Sequence, residues 1–127
     1  MSWTNPPTNF TQTIEGDLVE RANEITLFAH RGVVLKSPVD TGRFRGNNII
    51  SVGAPVFNTS GTTSRDSGPA LNRGFRDLAA GRNAVYTVRY VQNNLPYGPG
   101  LERGNSQQAP LGIYGVTFNE VRIRYTL

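Results

Sequence analysis

The stretch FTQTIEGDLVERANEITLFAHRGVVLK, residues 10–36, decides the fold. Its apolar positions Ile14, Leu18, Ala22, Ile25, Phe28, Ala29 and Leu35 recur mostly at three and four residues, which marks one face of a helix. Asn9 followed by Gln12 has the spacing of a capping box. Glu15, Asp17, Glu20 and Glu24 precede Arg31 and Lys36, the order that the helix dipole favours. Ser37-Pro38 stops the helix, because proline disfavours helical geometry in the residue before it. Gly16 and Gly32 weaken the helix and mark places where another element comes close. Upstream, MSWTNPPTN at 1–9 has two prolines and no charge, and reads as an extended arm with Trp3 as an anchor.

Beyond the helix the pattern shortens. From Phe44 to Val52, Phe44, Ile50 and Val52 alternate with Arg43, Arg45 and Ser51, a strand with a bulge near Gly46. Residues 53–68 (GAPVFNTSGTTSRDSG) form a long polar loop of the kind that carries function. Pro69–Ala80 reads as a short helix capped by Ser67 or Gly68, with Leu71, Phe75 and Leu78 inward and Gly81 as its stop. Ala84–Gln92 (AVYTVRYVQ) is rich in strand formers. Segment 93–112 is turn-rich, with Pro96, Pro99 and Pro110 and four glycines. The composition of Ile113–Leu127 favours a strand, Val121, Ile123 and Tyr125 against Arg122 and Arg124, while Ile113–Glu120 also fits a turn or two of helix. The sum is α+β: a long N-terminal helix packed on a small, mainly antiparallel sheet, with a second short helix and long loops, in one domain over 10–127 that follows the arm.

Composition narrows the class. The chain has 127 residues, no cysteine, and 13 basic against 9 acidic side chains. Disulfides and thiolate metal sites are excluded. The N-terminus lacks the charge and apolar run of a secretory signal, and no stretch approaches the ~18 apolar residues of a membrane span. The expectation is a chain made in a reducing cytoplasm, without membrane contact or cofactor. Twelve of the 13 basic residues are arginine, whose planar fork suits carboxylates, phosphates and interfaces. Residues 1–45 are balanced, so the whole excess lies beyond Gly46, where eight arginines face Asp66, Asp77, Glu102 and Glu120. Three uncharged blocks, 1–13, 46–64 and 104–119, have the charge depletion of an interface centre, a property that Ser/Thr/Gly-rich loops share.

No catalytic constellation emerges. His30 stands alone on the long helix and reads as a surface or hydrogen-bonded histidine. Asp40-Thr41-Gly42 spells the aspartic protease tripeptide, but that motif needs a strand before it and a small residue after it. Here Pro38 precedes and Arg43 follows, so a local turn with Gly42 at positive φ fits better. Gly98-Pro99-Gly100 lacks the rest of a phosphate loop. Tyr86, Arg89 and Tyr90 read as core and rim rather than as a base-stacking surface.

Two segments are more distinctive: SPVDTGRFRGN at 37–47 and YVQNNLPYGPGLERGNSQQAPLGI at 90–113. Together, in this order and behind a long helix, they resemble the neck or tail-completion proteins of tailed double-stranded DNA bacteriophages, the minor-tail-protein-Z-like group. Gly98-Pro99-Gly100 and Asn105 depart from that pattern, which commonly has Ala with a basic residue, and Trp, at those places. The resemblance implies a non-enzymatic virion protein: a hexameric ring at the head-to-tail junction, assembled in the host cytoplasm, between neighbouring neck and tail-terminator proteins and around the genomic DNA. Another neck layer, such as a tail terminator or head-completion protein, or a non-sequence-specific DNA-binding protein, is the alternative. Physically, Asp40 with Arg43 and Arg45, and Glu102 with Arg103, offer charge-assisted pairs within or between subunits. Asn93, Asn94, Gln107 and Gln108 can satisfy turn backbone or bridge to a neighbour. Tyr97 and Pro110 offer stiff apolar contact. With Thr41, Gly42 and Ser106 these are the candidate interface residues, each equally readable as an internal turn or packing residue. Arg65, Arg73, Arg76, Arg122 and Arg124 are candidates to line the channel, meeting phosphates without reading sequence.

Overall fold

Proline at the first position of a helix loses no hydrogen bond, because the first amides have no intrahelical acceptor. The long helix α1 accordingly runs Pro7–Lys36, three residues further upstream than the spacing predicts. Asn9 therefore lies inside the first turn, not at the N-cap position. The structure, a computed structural model, describes residues 7–39, 42–61, 64–104 and 106–125; the first six residues of the expected arm, Trp3 included, lie outside the described residues. After α1 come α2 (Arg43–Gly46), β1 (Asn48–Val52), α3 (Ser67–Ala79), β2 (Arg89–Asn93), α4 (Gly98–Glu102) and α5 (Tyr114–Tyr125). The fold is α+β: α1 packs on a two-stranded antiparallel sheet, with the shorter helices around it. The sheet pairs Asn48 with Asn93, Ile50 with Val91 and Val52 with Arg89.

Three expected elements change. Arg43–Gly46 is a helical turn entered from Gly42 at φ 86°, so the strand begins at Asn48 rather than Phe44 and has no bulge at Gly46. The second strand begins only at Arg89, because Tyr86 adopts φ 54° and takes the chain out of extended geometry. The C-terminal segment is a helix. Its strand-like alternation yields to the helical spacing Tyr114, Thr117, Val121 and Tyr125, which with Val116 are the residues of α5 that are half-buried or buried. An added Cβ on Gly32 would meet the Thr117 side chain at 2.7 Å, so α5 lies close on α1 where that glycine is found. The Phe28 and Tyr125 rings meet edge to face at 5.6 Å. Gly16, by contrast, has nothing near it.

Helix α3 is capped by Asp66, whose carboxylate accepts from Gly68 N, rather than by Ser67 or Gly68. Its buried positions are Ala70, Gly74 and Leu78; Leu71 is only half-buried and Phe75 points outward. Small residues win here because α3 lies against His30 of α1, whose ring sits 2.5 Å from where a Cβ on Gly74 would be. The buried face of α1 is likewise not the apolar stripe. Asn23, Thr26, His30, Val33 and Val34 are buried, while Ile14 and Leu18 are 41% and 47% exposed. The three buried polar side chains on this face each have a partner, which removes most of the penalty of burial. Asn23 donates to Arg82 O, Thr26 to Ala22 O, and the His30 ring meets Asn48 O at 2.8 Å. The apolar core gathers Val33, Phe44, Leu95, Ala109 and Ile113, with Val91, Leu101 and Tyr114 against it.

Candidate functional site

The two distinctive segments, some fifty residues apart in sequence, fold onto each other. Phe44 from the first and Leu95, Ala109 and Ile113 from the second make most of the core. Asn93 Nδ2 donates to Phe44 O at 2.8 Å, and Gln108 Oε1 accepts from Val39 N at 2.8 Å. The Tyr97 ring, exposed on its other side, leans on Phe44 with centroids 6.0 Å apart.

Asn48 is the hub of this junction, and sequence reasoning missed it. Its amide donates to Ser37 Oγ at 2.7 Å, with longer bonds to Phe44 O and Arg45 O. Its side-chain oxygen accepts from the Tyr114 hydroxyl and from Asn93 Nδ2, and its carbonyl meets His30. Five segments thus converge on one fully buried residue. The available signal was Asn47-Asn48 at the head of a strand, since asparagine is depleted in strands unless something there uses its side chain. Asn47 performs a related task, exchanging hydrogen bonds with the Ser60 backbone and so tying down segment 53–61.

Titration follows from this packing. Burial pushes the His30 pKa down, against the raising effect of its bond to Asn48 O, so the neutral ring donates from Nε2. Burial raises the Tyr114 pKa, and the Glu102 charge adds to that. For Glu102, burial tends to raise the pKa, but bonds from three backbone amides outweigh it and the net shift is downward. Its carboxylate accepts from Ile113 N and Tyr114 N through Oε1 and from Gly115 N through Oε2. It therefore caps α5, whose first amides have no other intrahelical acceptor.

The remaining candidates are dispersed. Asp40 and Thr41 lie outside the described residues. Gly42 is buried with positive φ, as a turn there requires, and a Cβ would collide with the Ser64 carbonyl. Arg43 is exposed on α2. Arg45 does not form an ion pair among the described residues; it donates to Val34 O and Arg65 O, bracing α1 against the residues just before α3. The expected Glu102–Arg103 pair is absent among the described residues, because the α5 amides occupy the carboxylate while Arg103 is exposed. Asn94 donates to Val56 O and Asn58 O, Ser106 Oγ accepts from Gln108 N, and Pro110 is exposed. Arg73 meets Asp77 at 3.7 Å on α3, beside exposed Arg76. On α5, Arg122 is exposed and Arg124 stacks over Phe28 and Tyr125. Arg65 is exposed in the loop before α3.

The arginines do not share one face. At 100° per residue, His30, which meets α3, and Gly32, which meets α5, point to opposite sides of α1. Among the described residues no cluster of three His, Asp or Glu side chains could hold a metal, and no helix is long and apolar enough to cross a membrane. Comparison of the chain with protein-family models, with curated proteins and with solved structures finds no match in any of the three.

Proposed function

We propose that this chain is a structural virion protein of a tailed double-stranded DNA phage, a subunit of a neck or tail-completion ring at the head-to-tail junction. The observation that carries the reading is the packing of the two motif segments into one junction around Asn48 and Phe44. Chance matches of two short motifs have no reason to lie against each other, whereas a shared fold requires it. On this reading Asn93, Gln108 and Glu102 act inside the subunit. Contacts with neighbours fall to surfaces that the fold leaves apolar or unpaired.

Such surfaces are present. Segment 53–61 is held by side-chain bonds from Asn47, Gln92 and Asn94, and on it Phe57 is 81% exposed within a block that carries no charge. A preorganised loop presenting an aromatic at low charge is suited to the centre of a protein contact. Because the α3 and α5 arginines lie on opposite sides of α1, one set faces the DNA channel and the other a neighbouring subunit or layer.

The mass of the purified chain, alone and mixed with its neck neighbours, tests the reading, together with electron microscopy. The expected result is a closed ring that co-purifies with particles. A chain that stays monomeric beside those neighbours and is missing from particles overturns it.

A further inference from the structure

An open groove of about 700 Å³ runs along the N-terminal half of α1. Val19 and Leu27 of α1 and Val85 give it an apolar floor, and Glu15, Glu20 and Glu24 line it against a single arginine, Arg82, for a local charge of −2. Glu24 is engaged by Arg21 and by the Tyr125 hydroxyl. Among the described residues, Glu15 and Glu20 reach no cation.

A ridge of the opposite character stands on α5. Phe118 and Arg122 are one helical turn apart; Phe118 is 65% exposed, and Arg122 reaches no carboxylate among the described residues. Groove and ridge are complementary in shape class, polarity and charge. They also face different ways. Asn23, which lines the groove, is on the His30 side of α1, whereas α5 covers the side of Phe28 and Gly32.

We infer that the groove of one copy receives the Phe118–Arg122 ridge of a second copy, with Phe118 on the apolar floor and Arg122 against Glu15 and Glu20. The inference rests on the reading of the chain as a ring subunit and names the contact that closes the ring. Groove-to-groove pairing would set carboxylate against carboxylate, so the contact is heterologous. Each copy offers one groove and one ridge, and repetition by rotation closes a ring. The chain exposes 8191 Å². A contact of ordinary size hides ~800 Å² per partner, so a subunit engaged on both sides gives up about a fifth of that surface.

The absence of cysteine makes the test clean, because an introduced thiol is unique in the chain. Gln12→Cys, at the groove, and Asn119→Cys, beside the ridge, are surface changes compatible with folding. Mixed, the two variants should give a cross-linked dimer under a short bis-maleimide, while each alone gives none. A chain carrying both should give a ladder of multimers. In parallel, Glu15→Lys with Glu20→Lys, or Arg122→Glu, should weaken assembly about tenfold or more, the equivalent of ~1.4 kcal/mol, and joining all three changes in one chain should restore it in part.

If the wild-type chain forms rings and the mixed Gln12→Cys and Asn119→Cys variants, assembled in the same rings, give no cross-link, the contact is overturned and the ring reading survives. Cross-linking of Gln12→Cys to itself also overturns the contact, in favour of an isologous pair. A wild-type chain that remains monomeric by itself at every concentration overturns it too, and the neck reading is then decided separately by co-purification with particles.

Discussion

Residues 11–22 and 23–36 belong to one helix yet meet opposite surroundings. The second half buries Asn23, Thr26, His30, Val33 and Val34, and α3, the sheet and α5 all come against it. In the first half no residue is buried, although Ile14 and Leu18 are as apolar as anything further along. Hydrophobicity therefore does not decide which part of α1 is covered. What does is whether a neighbour can come close, through Gly32 and Gly74, and whether the polar groups trapped by that approach find partners. The covered half is specified by fit, and the bare half is available to another molecule.

Phe44 joins Val33 of the covered half to the motif junction, so the largest effect is expected there. Phe44→Ala should cost about 3–5 kcal/mol in urea unfolding followed by circular dichroism, the range for a buried phenylalanine. A loss below ~1 kcal/mol would mean that this junction does not hold the fold. Gly74→Ala comes next. Its methyl must enter the space of the His30 ring, and a loss of about 1–3 kcal/mol is expected.

Glu102→Ala removes the α5 cap and should cost about 0.5–2 kcal/mol. The same cap ties stability to pH. A carboxylate whose folded pKa is lowered contributes stability above its unfolded value, near 4.5, and loses it as pH falls through the folded value. His30 acts in the same sense higher up. Its folded pKa lies below 6.5, so the unfolded chain binds the proton first and stability falls as pH drops below 6.5. Denaturation midpoints measured from pH 8 to pH 3 should decline in two stages, and His30→Gln should remove the upper one. The smallest effect sharpens the contrast: Gly16→Ala, in the bare half with nothing near its Cβ position, should stabilise the chain by up to ~1 kcal/mol. A destabilisation there would reveal a contact on that half.

The long helix, the small antiparallel sheet and the short helix after the polar segment were legible in the sequence because periodicity and turn residues act locally. The direction of the buried face of α1 was not, since it depends on acceptors supplied from far away: Arg82 O for Asn23 and Asn48 O for His30. The late start of β2 escaped notice because it hangs on one residue, Tyr86, at positive φ in a stretch of good strand formers. A turn or two of helix over 113–120 was legible as the second option for the C-terminus, but its full extent to Tyr125 was not, because its cap, Glu102, comes from another element. Among the candidate residues, the need of Gly42 for a positive φ could be read locally. That Asn93 and Gln108 bond within the subunit could not, because their acceptor and donor lie in the other motif.

The cap on α5 has a consequence for how the molecule opens. Three successive amides at the start of α5 depend on a carboxylate carried by α4, so the start of one helix is a property of the other. When α4 unwinds, those amides lose their acceptor at the same moment and the first turn of α5 loosens with it. Local fluctuations in the two helices are thereby joined into one cooperative unit, which opens as a piece rather than fraying residue by residue.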